Sequence, residues 1–179
     1  MNVIMKCIKV YNMELYSLNR DCFISQLHKL PQGIEFHRIT ESDLEANKSY
    51  CASHYKSWKY NLKKGAEGLF ATYDNEIVAH GWLKKRSSKD PFYLMEKNVA
   101  YLSEFYVNAN FRGRGIYPAM LSQFISNDQN FDSFFISIYQ NNVASRNGLL
   151  KVGFKLSSCF RFVRAFKITL NKHRIRKNG

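Results

Sequence analysis

Apolar residues recur along this chain with two periods, and the changes from one to the other divide it into elements. Residues 1–33 carry alternating and apolar-rich stretches that end in the turn-forming Pro31-Gln32-Gly33, after which IEFHRI predicts a strand over 34–39. Thr40 is an N-cap type followed by Glu41 and Asp43, acids suited to a first helical turn. With Leu44, Tyr50, Ala52 and Trp58 they predict a helix reaching about residue 59. Residues 61–68 read as a break. GLFATY and IVAHGWL then form two β-rich runs, and Asp74-Asn75-Glu76 between them predicts a hairpin, with residues 87–91 as the next connection. Residues 99–107 read as a strand that continues through Asn108-Ala109-Asn110 and an Arg-Gly-Arg-Gly run into the helical pattern IYPAMLSQFI. Pro118 sits there in a first turn, where its missing N–H is tolerated. A strand over 131–139, a helix over 142–151 stopped by Gly153, and a last strand over 160–170 complete the order.

Strands interleaved with helices imply an α/β chain, and 179 residues at 45% apolar composition can enclose one sizeable core. The expected organisation is an N-terminal extension over 1–33 packed on a single domain over 34–170, followed by a basic tail over 171–179. No stretch of about 18 apolar residues predicts a membrane-spanning helix. The opening residues mix Lys6, Lys9 and Glu14 among the apolar ones, unlike a secretory leader, so the expected compartment is the cytoplasm.

Charge adds a partner question. The chain carries 27 Lys plus Arg against 14 Asp plus Glu, a formal +13. From Lys151 onward there are nine basic residues and no acidic one, ending in KHRIRK. Such a surface suits a polyanion, whether nucleic acid, an anionic membrane surface or the phosphates of a cofactor, and it is also consistent with a plainly solvated face. Cys7, Cys22, Cys51 and Cys159 are scattered and predict reduced thiols. His28, His37, His54, His80 and His173 form no metal-binding spacing, so no metal is expected. His80, with Trp58 and Tyr60, is a candidate wall of an acceptor cleft.

FRGRGIY, residues 111–117, is where chemistry concentrates. A tight turn opening a helix aims backbone N–H groups outward together, and their dipoles favour a bound pyrophosphate; glycine at 113 and 115 lets it approach closely. The segment follows a strand, precedes an apolar-periodic helix and occurs once. It matches neither GxxxxGKT nor GxGxxG, which disfavours phosphoryl and hydride transfer.

The stretch YLSEFYVNANFRGRGIYPAML resembles the central motif of the GCN5-related N-acetyltransferases: Arg or Gln, two free positions, Gly, one free position, then Gly or Ala. Arg112 and Gly115 match, while Tyr117 stands where the smallest residues are usual. A second landmark, an Asn, a small residue three later and a downstream Gly-Phe, is matched by Asn142, Ser145, Gly153 and Phe154. The resemblance implies a three-layer fold with a mostly antiparallel central sheet whose two central strands are parallel and splayed. It implies an acyltransferase that moves an acetyl or short acyl group from acetyl-CoA to a primary amine without a metal. Carried over residue by residue, the cofactor-binding set is Tyr106, Val107, Arg112, Gly113, Arg114, Gly115, Ile116, Tyr117, Asn142 and Ser145, with the Tyr106 backbone N–H facing the thioester carbonyl.

An attacking amine must lose a proton, and Glu104 on the strand before the motif is the candidate base. Alternation puts Glu104 and Tyr106 on one face and Phe105 on the other; a cross-strand ion pair is the competing structural role for Glu104. The family's usual proton donor, a Tyr four residues before Gly-Phe, is replaced by Leu149, which leaves Tyr139, Tyr117 or a water for the leaving thiolate. Tyr139 is the residue carried forward as catalytic. The expected acceptor is a small-molecule amine, either a small metabolite or a nucleotide-linked amino sugar. A protein amine, a non-catalytic nucleic-acid-binding module using the basic C-terminal face, and either a monomer or a homodimer stay open.

Overall fold

The computed structural model describes residues 8–23, 30–85, 98–165 and 168–177. Eight strands, β1 (Ile8–Asn19), β2 (Ile34–Arg38), β3 (Glu67–Tyr73), β4 (Glu76–Lys85), β5 (Val99–Val107), β6 (Ser133–Tyr139), β7 (Lys155–Ala165) and β8 (Ile168–Lys177), form one sheet in the order β2-β3-β4-β5-β6-β1-β7-β8. Neighbours are antiparallel except β5 and β6, which are parallel. Their pairing runs from Val99 opposite Ser133 to Leu102 opposite Ile136, although both strands continue beyond it. The central strands therefore part from Ser103 onward, as the resemblance implied.

Alternation explains the layers. Along β4 Trp82 enters a cluster with Leu44, Cys51, Trp58 and Phe70, whereas Leu83 enters the opposite cluster with Met120, Leu121, Phe124 and Leu149. Helices α1 (Glu41–Ala46), α2 (Lys48–Cys51) and α3 (Tyr55–Lys63) cover the first face, and α4 (Ile116–Asn127) and α5 (Val143–Val152) the second. The hairpin at Asp74-Asn75 is as expected, with both residues at positive φ (48° and 65°).

Four expectations change. Residues 8–19 are not an extension packed on the outside: β1 lies inside the sheet, paired with β6 on one side and β7 on the other. Leu15 faces one apolar cluster while Tyr16 and Leu18 face the other, so burial on both faces blurs the period-two signal that marks half-exposed strands. The helix expected to residue 59 is three short helices. Asn47 ends the first: its backbone leaves the helical region (φ −110°, ψ 35°) while its carboxamide donates to the Asp43 carbonyl at 2.9 Å. Residues 171–177 belong to β8, paired with β7, rather than to a tail, and the strand expected over 160–170 is the meeting of these two strands. The connection expected over 87–91 lies outside the described residues.

Burial of Glu14 in β1 is made possible by Arg146 of α5, whose guanidinium meets both carboxylate oxygens at 3.0 Å, while the Tyr16 hydroxyl donates to the same carboxylate at 2.9 Å. This network ties β1 to the helix that flanks the central opening. Arg146→Leu leaves the carboxylate buried without its cation. The expected result is a lower thermal midpoint and faster amide exchange in α5.

Candidate functional site

Where β5 and β6 part, the chain runs from Val107 through a short 3₁₀ turn (Ala109–Phe111) into the glycine loop and α4. Gly113 and Gly115 have φ of 78° and 83°, a region costly for residues with a Cβ, and nothing lies within 4 Å of the Cβ that either would carry. Conformation, not crowding, requires glycine here, and the space above both stays open. Gly115 is the N-cap of α4 and supplies no side-chain cap, so the first N–H groups of the helix face that space. Arg112 Nε donates to the Val107 carbonyl at 3.0 Å and pins the loop to the strand end.

A cavity of about 550 Å³ lies against this loop, bounded by β5, the start of α4 and the face of α5. Nine of the ten residues expected to hold a cofactor line it: Tyr106, Val107, Arg112, Gly113, Gly115, Ile116, Tyr117, Asn142 and Ser145. Arg114 is not among the lining residues; its guanidinium stacks over the Phe111 ring, 4.9 Å from the centroid. Asn142 caps α5, its Oδ1 accepting from the Ser145 N–H at 3.1 Å. Lys151 adds a cation to the lining.

Tyr117, the departure from the family pattern, has a seat that the sequence reading did not supply. Its ring lies over Gly148 of α5, where an added Cβ would stand 2.5 Å from Cδ1, and it meets Phe105 edge to face at 5.3 Å. A bulky residue on α4 is matched by the absence of a side chain on α5. Burial raises the pKa of the Tyr117 phenol, opposed by a hydrogen bond with Ser145. Leu149 is fully buried in the core.

Glu104 sits at a break in the ladder. His80 pairs with Tyr106 and Trp82 with Ser103, so Gly81 alone opposes Glu104 and Phe105, the two-against-one count of a β-bulge. Glu104 has φ 56°, and a Cβ on Gly81 would be 2.4 Å from the Phe105 ring. The bulge turns Glu104 toward α3, where Trp58 Nε1 donates to Oε2 at 2.8 Å and the Lys84 ammonium pairs with Oε1. The cross-strand ion pair weighed for this residue is therefore present. Burial pushes the carboxyl pKa up, but Lys84 and the Trp58 indole more than offset it and hold the group below its ordinary range. Positive φ at a residue with a side chain is strain of the kind that collects at functional sites.

Around Glu104 an aromatic wall takes shape. His80 stacks on Tyr106 at 5.5 Å, meets Trp58 at 4.7 Å, and exchanges a 2.8 Å hydrogen bond with the Tyr50 hydroxyl through Nδ1. Burial, assisted by nearby His54 and opposed by Glu104, pushes its pKa down to about 4, so the imidazole is neutral near pH 7. Trp58 and His80 thus belong to the cluster, whereas Tyr60 is exposed beside Lys64. Tyr139 does not line the glycine-loop cavity. It is half exposed at the end of β6, paired with the Tyr11 ring at 5.8 Å, and borders a second cavity of about 440 Å³.

Lys84, Gly81 and Gly148 carry no functional expectation from sequence. Gly81 had a signal, since glycine inside a strand marks a bulge or a close approach. Among the described residues no group of His, Cys, Asp and Glu is arranged to hold a metal, and no helix is long and apolar enough to cross a membrane.

The architecture recurs in solved structures of low sequence identity. A Drosophila protein superposes with TM-score 0.65 at 15% identity, over 89% of this chain and 52% of its own. A GCN5-related N-acetyltransferase from Kribbella flavida gives 0.58 at 10% identity, over 86% of this chain and 58% of that one. A predicted acetyltransferase from Clostridium acetobutylicum, solved with acetyl-CoA, gives 0.53 at 15% identity, over 68% of this chain and 90% of that one. The chain spans between 52% and 64% of the length of the first solved structures it matches. No curated protein matches its sequence. The model of the acetyltransferase (GNAT) family matches residues 14–154, from the buried acid of β1 to the Gly-Phe after α5, and the chain belongs to that family.

Proposed function

We propose that this acetyltransferase moves an acetyl or other short acyl group from its coenzyme A thioester to a primary amine at the opening between β5 and β6. The observation that carries the reading is the cavity of about 550 Å³ in which the uncapped start of α4 and two positive-φ glycines face the same open space. Backbone N–H groups and a helix N-terminus suit a pyrophosphate, Arg112 and Lys151 add positive charge at the lining, and the gap between the strands leads inward to Tyr106.

Acetyl-CoA, which the family uses, supplies an activated acyl carbon. The chain's residues do the rest. Beyond Leu102, β5 has no partner on its β6 side. Asn108 N–H donates to the Val78 carbonyl at 2.8 Å, so Asn108 and, two residues earlier, Tyr106 turn their N–H groups toward β4. In this reading the donor to the carbonyl oxygen comes from the alternate residues Phe105 and Val107 rather than from Tyr106. Glu104 takes a proton from the incoming ammonium through a water, since both of its oxygens already have partners. A bond forms from the amine nitrogen to the acyl carbon, the carbon–sulfur bond breaks, the sulfur gains a proton, and the nitrogen releases its second proton, which restores the group that protonated the sulfur. Tyr117 is better placed than Tyr139 to deliver that proton. Its phenol lines the cavity, and its raised pKa keeps it protonated. An acceptor that is a small metabolite, a nucleotide-linked amino sugar or a protein amine requires the same steps. Titration calorimetry with acetyl-CoA tests the reading: saturable binding is expected, and its absence at millimolar concentrations with folded protein overturns it.

A further inference from the structure

A second cavity lies at the end of β6, one of the two strands that bound the opening, and has its own chemistry. Its lining is Val10, Tyr11, Asn12, Tyr139, Gln140 and Asn141, which includes no charged side chain in a chain of net charge +13. Its position follows from unequal strand lengths. β1 pairs with β6 only from Met13 opposite Tyr139, while on its other side it stays paired with β7 back to Ile8. β1 therefore overhangs the end of β6, and one edge of the overhang has no neighbouring strand among the described residues.

The direction of the backbone groups on that edge is fixed by one bond. Gln140 N–H donates to the Asn12 carbonyl at 3.0 Å, so Asn12 turns its backbone polar groups toward β6, and Val10, two residues earlier, turns its N–H and C=O the same way. There β6 has already ended. Val10 is 56% exposed. An N–H and a C=O presented side by side on a strand edge complement the C=O and N–H of one residue of an extended chain. Along β6, Tyr139 and Ser137 lie on one face, and the Ser137 hydroxyl bonds that of Tyr101 on the face of β5 that also carries Glu104 and Tyr106. Two strand spacings of about 4.8 Å separate β5 from β1 where β5 and β6 pair, and the parting of these strands beyond Leu102 widens the span at Glu104 and Tyr106, so it takes about three or more extended residues.

We infer, resting on the acyl-transfer reading above, that the acceptor is the free α-amine of an extended peptide. Its amine reaches Glu104 and Tyr106, its first residues cross the Tyr139 and Tyr11 rings, and a residue about three or more positions along pairs with the open edge of β1 at Val10. This narrows the acceptor to a peptide rather than the compact small molecule anticipated from sequence. The neutral lining, in which Asn12, Gln140 and Asn141 carry carboxamides, fits peptide groups better than the phosphates of a nucleotide-linked sugar.

The test uses the full chain, acetyl-CoA and thiol release, with short free-amine peptides, glucosamine and spermidine as acceptors. Peptides are expected to be the preferred substrates. Methylating the backbone nitrogens one at a time should raise KM about three- to tenfold at one position only, the loss of one hydrogen bond. Val10→Pro removes the edge N–H at a site where proline costs no ladder bond. It should raise the peptide KM by a similar factor, leaving acetyl-CoA affinity and thermal midpoint unchanged. Parental KM in a folded Val10→Pro variant, or equal use of every N-methylated peptide by the parent, overturns the inference. Thiol release with glucosamine or spermidine but not with peptides overturns it and leaves the acyl-transfer reading standing, whereas failure to bind acetyl-CoA overturns both.

Discussion

Gly115→Trp is expected to abolish saturable acetyl-CoA binding while leaving the protein folded. The indole enters the open space over the N-terminus of α4, where nothing lies within 4 Å of the position a Cβ would take, so it meets no packed core and blocks only that opening. Backbone strain is a separate contribution, because φ at this residue is 83° and a Cβ in the left-handed region costs about 1–2 kcal/mol. Gly115→Ala separates the two effects. It carries the strain without the bulk, so its expected affinity loss is modest beside that of the tryptophan variant, with a similar fall in thermal midpoint. Calorimetry with acetyl-CoA on the parent and both variants, alongside thermal melts, makes the check. Undiminished binding by Gly115→Trp would remove the glycine loop from the site.

How much of this could be read beforehand differs between the two sides of the opening. The glycine-loop side was legible because its requirements are local: a strand, two glycines that must take positive φ, and a helix start lie within residues 99–127, and short-range pattern carries all of them. The seat of Tyr117 was not legible, since Gly148 lies 31 residues downstream and only packing of α5 on α4 joins them. The Glu104 side is assembled from still more distant pieces. Trp58 reaches Glu104 across 46 residues, and Lys84 across 20. β1 was the largest omission: its place between β6 and β7 depends on pairings across more than 100 residues, and its two buried faces hide the alternation that local reading relies on. The burial of a charged residue in that strand, Glu14, has no local signal, because its partner Arg146 lies on α5.

Glu104→Gln is expected to lower turnover about 10²- to 10⁴-fold at neutral pH, the usual contribution of a positioned general base, with acetyl-CoA affinity unchanged. The shape of the pH profile is the more discriminating readout. Lys84 and Trp58 hold the Glu104 carboxyl below its ordinary range, so it stays ionised well into acid. An ionised base facing an ammonium carries the same number of protons as a neutral amine facing a protonated base. The parent's kcat/KM should therefore be nearly flat from the carboxyl pKa up to the pKa of the free amine. In Glu104→Gln only the amine already neutral in solution can react, so the rate should climb about tenfold per pH unit over that interval and recover part of the loss at its top. The same lowered pKa has a consequence for stability: the ion pair's contribution is present above the ordinary carboxylate range and is lost as pH falls through the depressed value, so acid unfolding of the parent should begin at higher stability than that of Glu104→Gln. If Glu104 serves only the ion pair, the stability difference remains, turnover near neutral pH stays close to the parent's, and the two pH–rate profiles run parallel. That result would take Glu104 out of the reaction and leave the strained bulge with a structural role alone.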